Sequence, residues 1–538
     1  MVHKGYNMEQ GFNKYPVGIQ TFSEIIRNGY TYIDKTEQVW DLAHYAKYIF
    51  MSRPRRFGKS LLTSTLEAYF NGERDLFTGL EIMKKEKEWK QHPVIHLDLS
   101  MAKGQDSPNN LKETLMWLLS PLVETYGKED IETTPGKLLS GILRRAYKRH
   151  GKQVVILVDE YDAPLLDTLN EKDLLDGMRK VMQEFYQPLK THEAIVKFCF
   201  ITGITKFSQL SIFSTINNMV NVTLDPTFSA ICGITEQELR TTLWSDVEML
   251  AKVYGESAED MHTRLKLRYD GYHFSERSPE VYNPFSLLSA FLMRKVSNWW
   301  FATGTPTFLI QQMLHFNTDI TSFDNLHVTS SAFDQPTENM EDALPLLYQS
   351  GYLTIKDYDQ DTEIYTLSIP NQEVRTGYAS GLLPTYTGLK SSDVQAGFAV
   401  KFWQALKNDN IDLAMSHMQA YLASIPYVEG FKKKLAEAAT AEGFYEYTLY
   451  LIFSMLNAYV RTQVKTARGR TDVVVFMPNT IYVIELKVGT CAKEALSQIN
   501  NNGYAEPYMT SNRQVVKVGV SFNKDTRTID EWMVEKQQ

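Results

Sequence analysis

The sequence predicts an α/β protein in three parts: a mainly parallel sheet with helices on both faces, a helical, winged-helix-like middle region, and a C-terminal α/β domain. Three observations carry this. Val154-Val155-Ile156-Leu157-Val158 is an unbroken apolar run, mostly β-branched, as in parallel strands buried on both faces, and it ends in Asp159-Glu160-Tyr161-Asp162. Tyr48-Ile49-Phe50 leads into Arg53-Pro54-Arg55-Arg56-Phe57-Gly58-Lys59-Ser60, followed by helically spaced Leu61, Leu62, Leu66 and Phe70. Near the C-terminus, apolar runs at 473–476 and 481–484 flank a Pro478-Asn479 turn, and a helical pattern through Ala495 and Ile499 follows.

At 538 residues the chain exceeds one ordinary core, so several domains are expected. Its 43% hydrophobic and 22% charged residues describe a folded, soluble protein rather than a disordered one. No apolar run approaches the ~18 residues of a membrane span, and residues 1–7 lack the apolar core of a signal peptide. Three widely spaced cysteines, Cys199, Cys232 and Cys491, argue against a disulfide framework and for a reducing, cytoplasmic compartment. A net charge of −8 gives no global attraction to nucleic acid, so such contact needs a local basic face.

Taken in order, residues 15–35 form a lead-in with a helical stretch through Phe22, Ile25 and Ile26. Strand, short loop, Gly-Lys-Ser and helix is the context of a phosphate-binding loop, where loop amides and the helix N-terminus face the anion. Arg55, Arg56, Phe57, Gly58, Lys59, Ser60 and Leu61 are therefore the expected ATP contacts, with Lys59 reaching the β- and γ-phosphates and the Ser60 hydroxyl on Mg²⁺. Arg53 stands where the usual pattern has its first glycine, which leaves Gly58 alone to supply positive φ, while Pro54 stiffens the loop.

Residues 94–99 read as the next strand, and helical patterns fill 110–150. The acids after residue 158 fall at the end of a strand where open α/β sheets place ligands. Asp159 is expected to hold Mg²⁺ through water and to contact the nucleotide, and Glu160 to polarise the attacking water. A strand ending in a solvated acidic turn is the alternative, disfavoured by the Gly-Lys-Ser partner upstream. A further strand at 196–201 ends in Thr202, which is either a sensor of the γ-phosphate or an ordinary threonine cap; Lys206 or an arginine could lend charge to the transition state. Beyond Gly233 the pattern turns helical. The aromatic stretch 268–274 reads as a packed corner in preference to a binding element, and a hairpin at 353–367 suggests a winged-helix-like or lid module.

The C-terminal pattern carries a second constellation. Asp472 opens one hairpin strand, while Glu485 and Lys487 share a face near the end of the next because side chains alternate. Asp472, Glu485 and the Leu486 carbonyl are hard oxygen ligands suited to Mg²⁺. Lys487 would orient the water that attacks phosphorus, and Glu446 and Gln498 from the flanking helices could complete the shell. Glu-x-Lys alone reads as a surface ion pair; the Gly-Arg-Thr-Asp stretch upstream and the apolar strands turn the reading toward a nuclease-type site. Arg461, Lys465, Arg468, Arg470, Lys487 and Lys493 offer the local basic face.

Tyr-Pro-Val-Gly-Ile (15–19), Arg-Pro-Arg-Arg-Phe-Gly-Lys-Ser (53–60), Leu-Val-Asp-Glu-Tyr-Asp (157–162), Tyr-Asp-Gly-Tyr (269–272), Gly-Arg-Thr-Asp (469–472) and Glu-Leu-Lys (485–487) occur in this order. In this set the chain resembles the bacterial AAA-ATPase-like family with a C-terminal PD-(D/E)XK nuclease superfamily domain. The resemblance makes the arginine-rich loop that family's normal form. It implies a P-loop NTPase fold binding ATP at Lys59, Ser60 and Asp159, and a restriction-endonuclease-like fold acting at Asp472, Glu485 and Lys487. Where similar proteins often have Tyr-His, this chain has Tyr445-Glu446, an acid compatible with a metal.

The resulting expectation is a P-loop domain at 10–230, a helical lid or winged-helix-like region at 231–380, and a nuclease-like domain at 381–538. ATP and Mg²⁺ are the cofactors. Nucleic acid is the partner, DNA ahead of RNA, with no membrane contact and with homo-oligomerisation allowed. A STAND-like switch or scaffold ATPase, whose nuclease-like domain only binds, is the rival, and a nucleotide-binding protein with little hydrolysis is the third reading.

Overall fold

The computed structural model describes residues 13–169, 171–206, 219–301, 307–316, 318–319, 322–337, 340–387, 392–424, 448–452, 454, 459–466, 469–477, 479–523, 526 and 528–536. The chain forms two compact units: Met1–Ala302 with His327–Asn371, and Thr303–Leu326 with Gln372–Gln538. It is a mixed α/β protein with a five-stranded parallel sheet in the first unit and a five-stranded mixed sheet in the second.

In the first unit, helices α1 (Phe22–Arg27) and α2 (Thr36–Tyr45) precede β1 (Tyr48–Ser52), and α3 (Lys59–Phe70) follows the loop. Strands β2 (Val94–Asp98), β3 (Val154–Asp159), β4 (Val196–Gly203) and β5 (Val220–Asn221) complete a sheet of order β2-β3-β4-β1-β5. All six residues of β3 are buried, as its apolar composition requires. Burial of each such Val, Ile or Leu contributes about 1.5–3 kcal/mol. Phe50, Ile95, Ile156, Val158 and Ile201 face one core, shared with helices Pro108–Leu118, Pro135–His150 and Lys172–Thr191. Alternation then turns the neighbouring positions toward α3, where Phe198 meets Phe70 at 5.1 Å between ring centroids. Helix Pro135–His150 starts at a Thr134 side-chain cap and stops at Gly151, which takes φ 61°.

A second core in this unit joins the lead-in to the helices beyond Gly233: Tyr15 packs with Leu239, Val247, Leu265 and Phe291, and its hydroxyl donates to Asp246 at 2.5 Å. Short strands β6 (Ile234–Thr235) and β7 (Val281–Tyr282) pair there. Strand β8 (Leu326–Val328) and the antiparallel hairpin β9 (Thr354–Asp359) and β10 (Ile364–Ser368) form a three-stranded sheet. Among the described residues, no helix is long and apolar enough to cross a membrane.

The second unit carries β11 (Tyr459–Thr466), β12 (Gly469–Phe476), β13 (Thr480–Val488), β14 (Gln514–Phe522) and β15 (Ile529–Lys536) in sequential order. Only the β13–β14 pair is parallel, which needs a crossover, and helix Ala492–Asn501 supplies it. This helix lies so close to β14 that a Cβ on Gly519 would stand 2.4 Å from the Ala492 carbonyl oxygen. Val474, Val483, Leu496, Ile499 and Val515 form the core beneath it.

Candidate functional site

The loop between β1 and α3 ends at Gly58, with φ 92° and no side-chain cap on the helix it opens. The first-turn amides, those of Lys59, Ser60 and Leu61 among them, therefore present positive charge, and the turn itself contains no acidic residue. Arg55, Arg56 and Gly58 are exposed, Ser60 and Leu61 half-buried, and Phe57 and Lys59 buried. Gly58 is not alone at positive φ: Arg56 takes φ 68°, a strain of about 1–2 kcal/mol for a side chain with a Cβ. Its guanidinium lies 4.6 Å from the centre of the Phe285 ring. Arg53 has no positive φ, so this position does not require the missing glycine. Phe57 points inward against Tyr272 and Phe274, so its main chain, not its ring, is what faces outward from the loop.

The Lys59 ammonium donates to the carbonyls of Arg53 and Pro54 at 3.0 and 3.1 Å. Burial pulls its pKa down, and Asp159, Glu160 and Asp162 oppose that pull. Strand register sets Asp98 beside Asp159, and one residue beyond the Val158–Ile201 pair sets Asp159 beside Thr202, itself opposite Met51. A row of side chains thus crosses the sheet end next to the loop. Asp159 is buried and accepts the Glu160 amide at 2.9 Å. Glu160 takes φ 49°, and burial raises its carboxyl while Lys59 lowers it. Backbone strain at a sheet end beside a lysine is characteristic of sites where geometry serves chemistry.

Other expectations meet different geometry. The Thr202 hydroxyl is fully buried and donates to the Met51 carbonyl at 2.7 Å, so its proton is committed to the sheet. Lys206 pairs with Asp334 at 2.8 Å, so its charge is already matched. Asp162, which the sequence left without a role, accepts the Ile204 and Thr205 amides and the Thr205 hydroxyl, and so fixes the exit of β4. His96 was also missed: its Nδ1 lies 2.9 Å from Glu67 on α3. Burial opposes its charge, but Glu67, Asp159 and Asp98 outweigh that and raise its pKa. Only the strand-to-strand register reveals that neighbourhood.

In the second unit, β12 and β13 bring Asp472, Glu485 and Lys487 together. The Leu486 amide donates to Asp472 Oδ2 at 2.8 Å, and the Asp472 amide reaches Glu485 Oε2 at 3.4 Å. Lys487 Nζ lies 3.5 Å from Glu485 Oε1, while Leu486 is buried in the core. Burial, reinforced by Asp472 and opposed by Lys487, pushes the Glu485 carboxyl up to about 7. Two facing carboxyls, one of them raised chiefly by burial, are a donor set that a hard cation fits. Among the described residues no set of three or more His, Cys, Asp or Glu is placed to hold a metal. Glu446 lies outside the described residues, as do the side chains of Arg461, Lys465, Arg468 and Arg470. Gln498 donates to the Tyr504 hydroxyl at 3.3 Å.

Residues 16–213 match the family described as predicted AAA-ATPase, and residues 440–532 match the PD-(D/E)XK nuclease superfamily. A protein of Azotobacter chroococcum mcd 1, described as an uncharacterized protein in the vnfD 5' region, is 31% identical over 532 residues, covering 97% of this chain and 99% of its own length. The chain belongs to the AAA-ATPase-like family with a PD-(D/E)XK nuclease superfamily domain. In this AAA-ATPase-like protein the first match holds the loop and the acids of β3, and the second holds Asp472, Glu485 and Lys487. The aromatic residues that Phe57 packs against, Tyr272 and Phe274, fall in neither match.

Proposed function

We propose that this AAA-ATPase-like protein binds and hydrolyses ATP at the Gly58-Lys59-Ser60 loop and couples nucleotide state to cleavage of nucleic-acid phosphodiesters at its C-terminal site. The observation that carries the reading is the cluster of Asp472, Glu485 and Lys487, in which a buried acid is held near pKa 7 beside a second acid and a lysine. A divalent metal held by Asp472 and Glu485 would supply transition-state charge and a lowered pKa for water. Lys487, fixed beside Glu485, orients that water and offers positive charge to the phosphate. Glu446 is the residue of choice to complete the shell.

At the loop, Lys59 and the uncapped amides of α3 bind the β- and γ-phosphates, and Arg55 and Arg56 add charge at its exposed rim. Mg²⁺ at Ser60 and Asp159 would neutralise the phosphates. Glu160 takes the water-orienting role, and Thr202 contributes its lone pairs, since its proton is committed. The modules are residues 10–230, 231–380 and 381–538, in a cytoplasmic protein acting on DNA ahead of RNA, with homo-oligomerisation open.

The switch reading draws on two observations: Lys59 is closed onto its own loop and Lys206 is matched by Asp334, which favours binding over fast hydrolysis. Incubation of plasmid and single-stranded substrates with Mg²⁺ or Mn²⁺, with and without ATP, separates the readings. Cleavage lost in Asp472→Ala, and altered by ATP only when Lys59 is present, supports the coupled nuclease. ATP turnover lost in Lys59→Ala without any cleavage supports the switch.

A further inference from the structure

We propose that Arg53 and Phe57 are positioning residues that fasten the phosphate loop to the aromatic turn at 269–274, so that this distant turn is part of the nucleotide site; the proposal rests on the nucleotide-binding reading of the loop. Arg53 is 1% exposed and its guanidinium donates to the carbonyls of Ser52, Thr223 and Phe228 at 2.9, 2.8 and 3.1 Å. The same group stacks 4.4 Å from the centre of the Phe274 ring. Phe57 meets Tyr272 and Phe274 edge-on at 4.8 and 5.2 Å. Pro54 presses on Gly351, where an added Cβ would come within 2.7 Å of it, and the Trp300 indole donates to the Arg55 carbonyl at 3.3 Å.

The turn itself is braced. Tyr272 and Val281 exchange backbone hydrogen bonds, Thr354 Oγ1 bonds both the amide and the carbonyl of His273, and Lys356 holds the Gly271 carbonyl. A loop with two residues at positive φ and no first glycine owes its shape to contacts from outside. The path from turn to chemistry is short: the Arg53 carbonyl that accepts from Lys59 belongs to the residue stacked on Phe274. When a phosphate draws Lys59 off that carbonyl, the displaced peptide moves the group seated on the turn.

Full-length protein is titrated with the fluorescent nucleotide mant-ATP and Mg²⁺, and hydrogen exchange at the Tyr272 and Val281 amides is followed with and without ATP. The variants are Arg53→Gly, which restores the ordinary glycine, Arg53→Lys, which keeps the charge and loses the planar fork, and Phe274→Leu. Expected are about tenfold weaker binding in Arg53→Gly and Phe274→Leu, the size of one buried cation–π contact, and partial recovery in Arg53→Lys. ATP slows exchange at Tyr272 and Val281 in the wild type and does not in Phe274→Leu. Should Arg53→Gly fail to fold, Phe274→Leu carries the same test. Affinity in Arg53→Gly or Phe274→Leu equal to or above that of the wild type, or exchange at the turn indifferent to bound ATP, overturns the proposal and leaves nucleotide binding standing. Wild-type protein that takes up no mant-ATP overturns the nucleotide reading and this proposal with it.

Discussion

The phosphate loop and the C-terminal hairpin both place charged side chains at the end of a buried strand, yet they handle that charge in opposite ways. At the loop every buried cation has acceptors: Lys59 has two carbonyls and Arg53 has three, with an aromatic ring beneath. At the hairpin, Asp472 and Glu485 face each other with one lysine 3.5 Å from Glu485, and the carboxyl of Glu485 rises to about 7 as a result. The loop is a site whose buried cations rest on main-chain carbonyls, with Arg53 Nε left without an acceptor among the described residues. The hairpin is a site where burial holds one of two facing carboxyls well above its ordinary range.

The largest effect that separates the two is on cleavage. Asp472→Ala removes a carboxylate from the facing pair, and phosphodiester cleavage is expected to fall on the order of 10²–10³-fold, the scale of several kcal/mol of metal-borne stabilisation. Nucleotide binding should be untouched; a matching loss there would merge the two sites into one. Lys59→Ala is the reciprocal probe. Loss of one charged hydrogen-bond donor to phosphate predicts ATP binding about ten- to a hundredfold weaker, read by calorimetry, with divalent-metal binding unchanged.

Packing gives a smaller effect confined to the second unit. Gly519→Ala drives a Cβ against the Ala492 carbonyl oxygen, and a destabilisation of about 1–3 kcal/mol is expected in denaturant unfolding. Unchanged stability would mean that helix Ala492–Asn501 shifts freely over β14. The smallest effect is in pH. The folded-state pKa of Glu485 lies above that of an unfolded carboxyl, so between roughly pH 4.5 and 7 the folded protein holds more protons and this residue weakens it as pH rises. Metal-free Glu485→Gln should therefore gain in melting temperature over the wild type at pH 8, with the gain shrinking as pH falls below 7. Added Mg²⁺ or Mn²⁺ should stabilise the wild type and close the gap; a gap independent of pH would remove the buried acid from the comparison.

Much of this was legible in the residues. The apolar run of β3 predicted a strand buried on both faces, because it is short and mostly β-branched, which favours a strand over a buried helix, and β3 is buried throughout. The lead-in helix, the strand near residue 94, the hairpin near 353–367 and the C-terminal hairpin appear where periodicity and turn residues set them. Less legible were positions whose partners are remote in sequence. Arg53 looked like a defect in a glycine pattern, and the stretch at 268–274 looked like a plain corner; each explains the other only once they touch.

Local chemistry could be read along the chain: which strands are apolar, where Gly58 lets a helix begin without a side-chain cap, and that Asp472, Glu485 and Lys487 converge through alternation along two adjacent strands. These follow from backbone φ demands and from periods of 2 and 3.6 residues, which act over a few neighbours. The tertiary structure decided which charges are already spent. It turned Phe57 inward, closed Lys59 on its own loop, tied Lys206 to Asp334 and buried Glu485 so that its carboxyl rises to about 7. Such outcomes depend on desolvation and on partners brought near by folding, and neither quantity exists along the chain before it folds.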